Sequence, residues 1–329
     1  MASLRKKVLT NISPNERNKI AEYWGKKQGV LHSVDLYQYF RAYKFNYIEY
    51  GNYSNQLYRN KNLYDLLQSC DYVLKKLLKT TNLGFDYKLS VAFGSRGYPK
   101  TLAHFAPTTM FINLNHKAKT YDPVTKKVIS TEILGIDSFA HEYAHALDYF
   151  LGRYVEPITF FNYLSDSWKL NNKTPLRYAM SMLMLTYYEA QAELNPLFLK
   201  ELNNPKKDIS NKNYWESPVE CWARISEQCL LHWVELTRTE HNYITHSKST
   251  YNKYPNVYMP KAVLDKVFPF WLEIMNIIGL VLKGKPEKEI QKVANKESKQ
   301  GTLFAKTKPK NKTSEIKKSK TKSKKNEYR

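Results

Sequence analysis

Apolar residues recur at three- and four-residue intervals over several stretches of the chain. Leu63, Leu66, Leu67, Cys70, Val73, Leu74, Leu77 and Leu78 keep one side apolar and predict a helix over about 57–79. Ile136, Ala140, Tyr143, Ala144, Leu147 and Phe150 predict another, which Asp137 or Ser138 can cap and Gly152 can close. Long helical patterns return at 176–200, 218–237 and 260–282. Two runs, 89–93 and 109–114, are short and bounded by Gly, Pro and Asn, so they read as strands of a small mixed sheet placed before the helix at 136–150. The fold class expected is α+β, rich in helix.

Composition adds a boundary. Apolar residues make up 42% of the chain and aromatics 14%, ample for one core built from about 250 residues. From Lys283 onward the character changes: residues 283–329 hold 17 Lys or Arg against 5 acids, whereas residues 1–282 hold 35 against 25. Three segments follow, a basic stretch 1–35, a globular unit 36–282, and a lysine-rich tail 283–329 expected to be disordered. Such a tail can bind nucleic-acid phosphates by releasing counterions, with little regard for sequence. An acidic protein partner or a solubilising role fits the same charge. The 26 tyrosines are scattered and form no stacking platform for bases.

Cys70, Cys221 and Cys229 have neither metal nor redox spacing and read as core thiols of a reducing compartment. Met1 to Leu31 lacks the apolar stretch of a secretory signal. The longest apolar run, Val267 to Leu282, is too short for a membrane span, carries Pro269 and Glu273, and reads as a buried helix.

One segment names a chemistry. In His141-Glu142-Tyr143-Ala144-His145 a helix puts both imidazoles on one face, where they can share a zinc ion. Glu142 lies about a quarter turn away, able to reach a water without ligating the metal, and is the expected general base. Histidines facing a polar groove would give the same pattern, so a third ligand matters. The extended three-histidine pattern is excluded, because its positions hold Asp148 and Leu151. Glu220 is the candidate instead: Ser217-Pro218 marks a helix start and puts Glu220 in its first turn, with small Ala223 on the same face. Ser-x-x-Glu is equally a capping box, in which Glu220 would turn back to the Ser217 backbone. Glu189, Glu193, Glu216 and Asp148 are fallback ligands, although Asp148 reads better as an outer carboxylate that holds a ligand imidazole. The run through Phe111 and Asn113 is either an edge strand able to pair with an extended substrate or plain core sheet.

Ala92-Phe93-Gly94-Ser95-Arg96-Gly97, Leu102-Ala103-His104-Phe105, Phe111-Ile112-Asn113-Leu114 and Phe139 to Asp148 occur in an order and spacing that resembles the large polyvalent protein-associated domain 1 of phages and mobile elements. Glu49-Tyr50-Gly51-Asn52-Tyr53 and Ser217 to Arg224 extend the likeness over roughly residues 36–282. A more distant likeness is to the zincin peptidase domain of the lethal-factor type. That resemblance implies His141, His145 and Glu220 as zinc ligands, with Ala223 three residues after the glutamate. It further implies a tyrosine near the substrate oxyanion, for which Tyr214 lies close to the matching place. Arg224 stands where the lethal-factor type has an acidic residue.

The expected function is a zinc-dependent metallopeptidase of a phage or mobile element, acting on a protein or peptide in the infected cytoplasm or carried with the virion. Two other classes remain open, an anti-restriction or DNA-protecting accessory that works through its basic surface, and an inactive module stabilised by zinc.

Overall fold

The computed structural model describes residues 38, 40–51, 63, 65–67, 69–96, 103–115, 120–121, 128–130, 138–170, 174–198, 217–239, 245, 251–252 and 257–292. Tyr214, Glu216, the N-terminal segment and 293–329 lie outside them. The architecture is α+β, helix-rich, with a small mixed sheet.

Strands β1 (Ile48–Tyr50), β2 (Ser90–Phe93), β3 (Ala103–Ala106) and β4 (Phe111–Leu114) form one sheet in the order β1-β2-β4-β3. The first three neighbours run parallel and β3 pairs antiparallel with β4. A separate two-stranded pair joins β5 (Thr120–Tyr121) to β6 (Val128–Ser130). Because side chains alternate across a strand, the register puts Val91, Phe93, Ile112, Leu114 and Phe105 on one face. The helix of the His-Glu pattern, α2 (Phe139–Phe150), packs against β3 and β4, and Phe105 meets Tyr149 there at 5.9 Å between rings.

The run through Phe111 and Asn113 is therefore an internal strand, and the edge beside α2 belongs to β3. Both side chains are buried, and Asn113 accepts the Arg96 N–H at 3.1 Å while donating to Asn115 at 2.8 Å. Its amide thus fixes the turn after β2.

The leucine-rich first pattern ends as a π-type turn (Cys70–Leu74) running into α1 (Lys75–Leu78). The later patterns become α3 (Pro175–Leu194), α4 (Pro218–Leu236) and α5 (Lys261–Leu282). Thr174 and Ser217 cap α3 and α4 from outside, each with proline at the first helical position, where its missing N–H is not needed. α5 packs along α3 and reaches α1. Gly279 makes that approach possible: a Cβ there would lie 2.2 Å from the Leu78 carbonyl oxygen. Pro269 sits inside α5 on its exposed side, so the helix continues past it. Among the described residues no helix is long and apolar enough to cross a membrane.

Gly152 does not terminate α2. The helix passes into a π-type turn (Leu151–Val155), and Gly152 is needed inside it because a Cβ would lie 2.5 Å from the backbone at Tyr163 and Leu164. The described residues extend past 283, to 292. Residues 287–292 are helical, and Ile290 joins the core.

Candidate metal centre

Two helices build the site. On the core side of α2, Tyr143 donates to the Leu83 carbonyl at 2.9 Å and packs near Phe85 and Phe139, which fixes the helix's rotation. With that side anchored, His141 and His145 turn to α4. Trp222, fully buried, donates its indole N–H to the Ala144 carbonyl at 2.9 Å and ties α4 to the middle of α2. Ala223 is fully buried too, its small side chain permitting the close approach.

The result is convergence of three side chains, with one ligand atom of each within 4.8 Å of the others and the two Glu220 oxygens divided between the imidazoles, Oε2 toward His141 and Oε1 toward His145. The Nε2 atoms of His141 and His145 are 3.1 Å apart, and the Glu220 carboxylate lies 3.5 Å from the first and 3.4 Å from the second. Ligand bonds of about 2.0–2.2 Å at tetrahedral angles place neighbouring ligand atoms roughly 3.4 Å apart. The spacing thus fits one small cation. Glu220 Oε2 is buried with no hydrogen-bond partner among the described residues, a vacancy in bonding that a cation would fill. His141, His145 and Glu220 can hold a metal ion.

The capping question is settled by where the two ends of Glu220 go. Its backbone N–H donates to Ser217 Oγ at 3.3 Å, while its carboxylate faces the histidines. Ser217 caps the helix, and the Glu220 side chain is turned to the histidines.

Electrostatics point the same way. Burial by itself disfavours a charged His141, but the carboxylates of Glu220 and Glu227, with Glu142 nearby, outweigh it and raise the imidazole to about 10. Burial pushes Glu220 up, yet the two histidines overcome this and hold it well below the usual carboxylate range. The pocket favours positive charge.

Glu142 is buried beside this group, and among the described residues no side chain is hydrogen-bonded to it. Its charge also reaches His104 on the edge strand, where it opposes the lowering that burial imposes on that imidazole. Of the fallback ligands, Glu189 is exposed and Glu193 pairs with Lys266 at 2.8 Å, so neither joins the site.

Asp148 does not hold an imidazole. Its oxygens accept from the Ser165 backbone N–H at 2.8 Å and the Ser165 hydroxyl at 2.5 Å, fastening the 163–167 turn to α2. It stands two helical turns beyond His141, too far along the axis to reach that ring. A different carboxylate stands behind His141: Glu227 of α4, 1% exposed, with an oxygen 3.6 Å from His141 Nδ1. Glu227 was not among the residues expected from the sequence. The available signal was its place two turns after Glu220, on the same face of the helix.

No protein-family model matches this chain, and no curated protein or solved structure matches it.

The Asp148 contact carries a pH dependence. Burial raises its pKa to about 7 from 3.8, against the opposing bonds from Ser165. Between those values the folded protein holds a proton that the unfolded chain has released, so this carboxyl's contribution to stability falls as pH rises from about 4 to 7. Asp148→Asn keeps an acceptor and adds a donor without titrating. Relative to wild type it is expected to gain about 1–3 kcal/mol between pH 5 and pH 8, read from urea midpoints at both values. An unchanged difference would mean that the carboxyl stays ionised in the fold.

Proposed function

We propose that the chain is a zinc-dependent metallopeptidase whose ligands are His141, His145 and Glu220 and whose general base is Glu142. The observation that carries this is the convergence of two Nε2 atoms and the buried Glu220 carboxylate, with one ligand atom of each within 4.8 Å of the others, and with Glu142, on the helix of the histidines, outside that group. Two histidines and one glutamate are the donor set of a catalytic site that keeps a position open.

A zinc ion in this group supplies Lewis acidity, lowering the pKa of a bound water toward 7 and polarising a carbonyl. The chain's own residues do the rest. Glu142 takes the proton of the attacking water and delivers it to the leaving amine, so that one carboxylate serves both halves of the reaction. The edge strand β3 offers backbone groups to an extended peptide, which would bind with little dependence on sequence. His104 on that strand lies within range of the Glu142 charge. Tyr214 remains the proposed phenol near the oxyanion, on the lethal-factor likeness alone.

The likeness to the polyvalent-protein domain supports a role in a phage or mobile element, with a protein substrate in the infected cell. The lysine-rich end of the chain would add salt-sensitive attraction to nucleic acid.

Metal analysis of the reconstituted protein is expected to give about one zinc per chain. Cleavage of casein should be lost with 1,10-phenanthroline and restored by zinc. Failure to bind zinc would remove the proposal, whereas one zinc without cleavage of any of a panel of unfolded proteins would favour the zinc-stabilised module.

A further inference from the structure

We propose that Glu227 is the positioning residue of the metal centre, holding His141 by Nδ1 so that its Nε2 lone pair faces Glu220 and His145. The inference rests on those three being metal ligands and concerns how the chain prepares them.

A neutral imidazole carries one N–H and one lone pair, and the partner of one nitrogen decides which end the lone pair occupies. For His141 the two ends have different surroundings. Nε2 points at the ligand group, 3.1 Å from His145 Nε2 and 3.5 Å from Glu220. Nδ1 points to the Glu227 carboxylate 3.6 Å away. At that distance the contact is electrostatic, a short step from a hydrogen bond. A carboxylate there selects the tautomer with its proton on Nδ1, leaves Nε2 free to ligate, and makes the ring a stronger donor.

Glu227 is well placed to do this rigidly. It is 1% exposed and lies in the middle of α4, the same helix that supplies Glu220. Its neighbour Gln228 clamps the chain at Met259 with two bonds, accepting from its N–H at 2.8 Å and donating to its carbonyl at 3.2 Å. The side chain of Glu227 therefore sits on a segment pinned on one side by Trp222 and on the other by residue 259. One helix thus supplies a ligand at residue 220 and the support for another at residue 227. His145 has no such carboxylate at its other nitrogen among the described residues, so the two histidines are unequal.

The alternative support, Asp148, is occupied by Ser165, which makes the assignment discriminating. Zinc affinity is measured by competition with a chromophoric chelator, together with the visible absorption of the cobalt-substituted protein. Glu227→Ala is expected to bind zinc roughly 10–100-fold more weakly and to shift the cobalt bands. Glu227→Gln, which can still accept from Nδ1–H, is expected to lie between, and Asp148→Asn to stay within about threefold of wild type. Circular dichroism verifies folding. If Glu227→Ala does not fold, the glutamine variant and ¹⁵N spectra of the zinc-loaded wild type decide, the latter expected to show His141 protonated at Nδ1 and metallated at Nε2. Wild-type affinity and cobalt bands in both folded Glu227 variants, or metal on Nδ1, would overturn the proposal. A wild type that binds no zinc is a separate outcome, which removes the ligand set itself.

Discussion

Glu142→Gln is expected to abolish peptide hydrolysis while leaving zinc binding intact. Glutamine keeps the size and most of the packing of a residue that is already buried, but it cannot accept a proton from water at neutral pH. General-base catalysis is worth roughly 10²–10⁴ in rate, so the turnover number should fall by at least that factor with little change in KM. Metal content should not change, because the carboxylate is not one of the three converging ligands. Parallel measurement of zinc stoichiometry and casein cleavage checks both halves. Cleavage at wild-type rate would exclude Glu142 as the base, and loss of zinc would make it a ligand.

Glu220→Ala is expected to lower zinc affinity by on the order of a hundredfold or more and to remove activity with it. The same residue also stands at a helix cap, so the control matters. The cap uses the backbone N–H of residue 220 and the hydroxyl of Ser217, and alanine retains that N–H. Helix α4 should therefore form in the variant. Ser217→Ala is the complementary change, expected to cost about 1 kcal/mol of stability while retaining the ligand. A Glu220→Ala protein that binds zinc as tightly as wild type would leave the two histidines with some other partner. Isothermal titration with zinc and thermal unfolding of both variants separate the two roles.

The helices were legible because each has an apolar face that must be buried, and the spacing of that face is written locally. The intervals at 218–237 and 260–282 became α4 and α5 to within a residue at each end, and that at 176–200 became α3, which ends at Leu194. The strand at 89–93 was legible for the same reason. β1 and β3 were not, since they are short and half-buried, and Ile48 to Tyr50 or Ala103 to Ala106 carry too few apolar residues to mark a period. Strand order is a further step removed: Phe111 to Leu114 has the same sequence whether it lies at an edge or inside, and only pairing with β2 on one side and β3 on the other made it internal.

The candidate site divides along the same line. His141, Glu142 and His145 lie within one helical turn and a half, so backbone geometry alone puts the two imidazoles together. Glu220 lies 75 residues beyond His145, and the sequence left it equally able to cap its own helix. Trp222 on the Ala144 carbonyl and the small Ala223 bring the helices close enough for its carboxylate to face the two imidazoles. The surroundings of Asp148 and Glu227 have the same cause. Asp148 was near the histidines in sequence, but the 163–167 turn docked on α2 and took its oxygens; Glu227 was remote in sequence and reached His141 through the packing of α4.

By itself, then, the sequence determined what the local period and the helix repeat can express: the helices, the core they require, and the placement of His141, Glu142 and His145 on one of them. The tertiary structure decided which strand is the edge, which carboxylate joins the two histidines and which one stands behind His141. Those choices depend on the approach of segments far apart in the chain, and approach is set by buried contacts between elements, which no local pattern records.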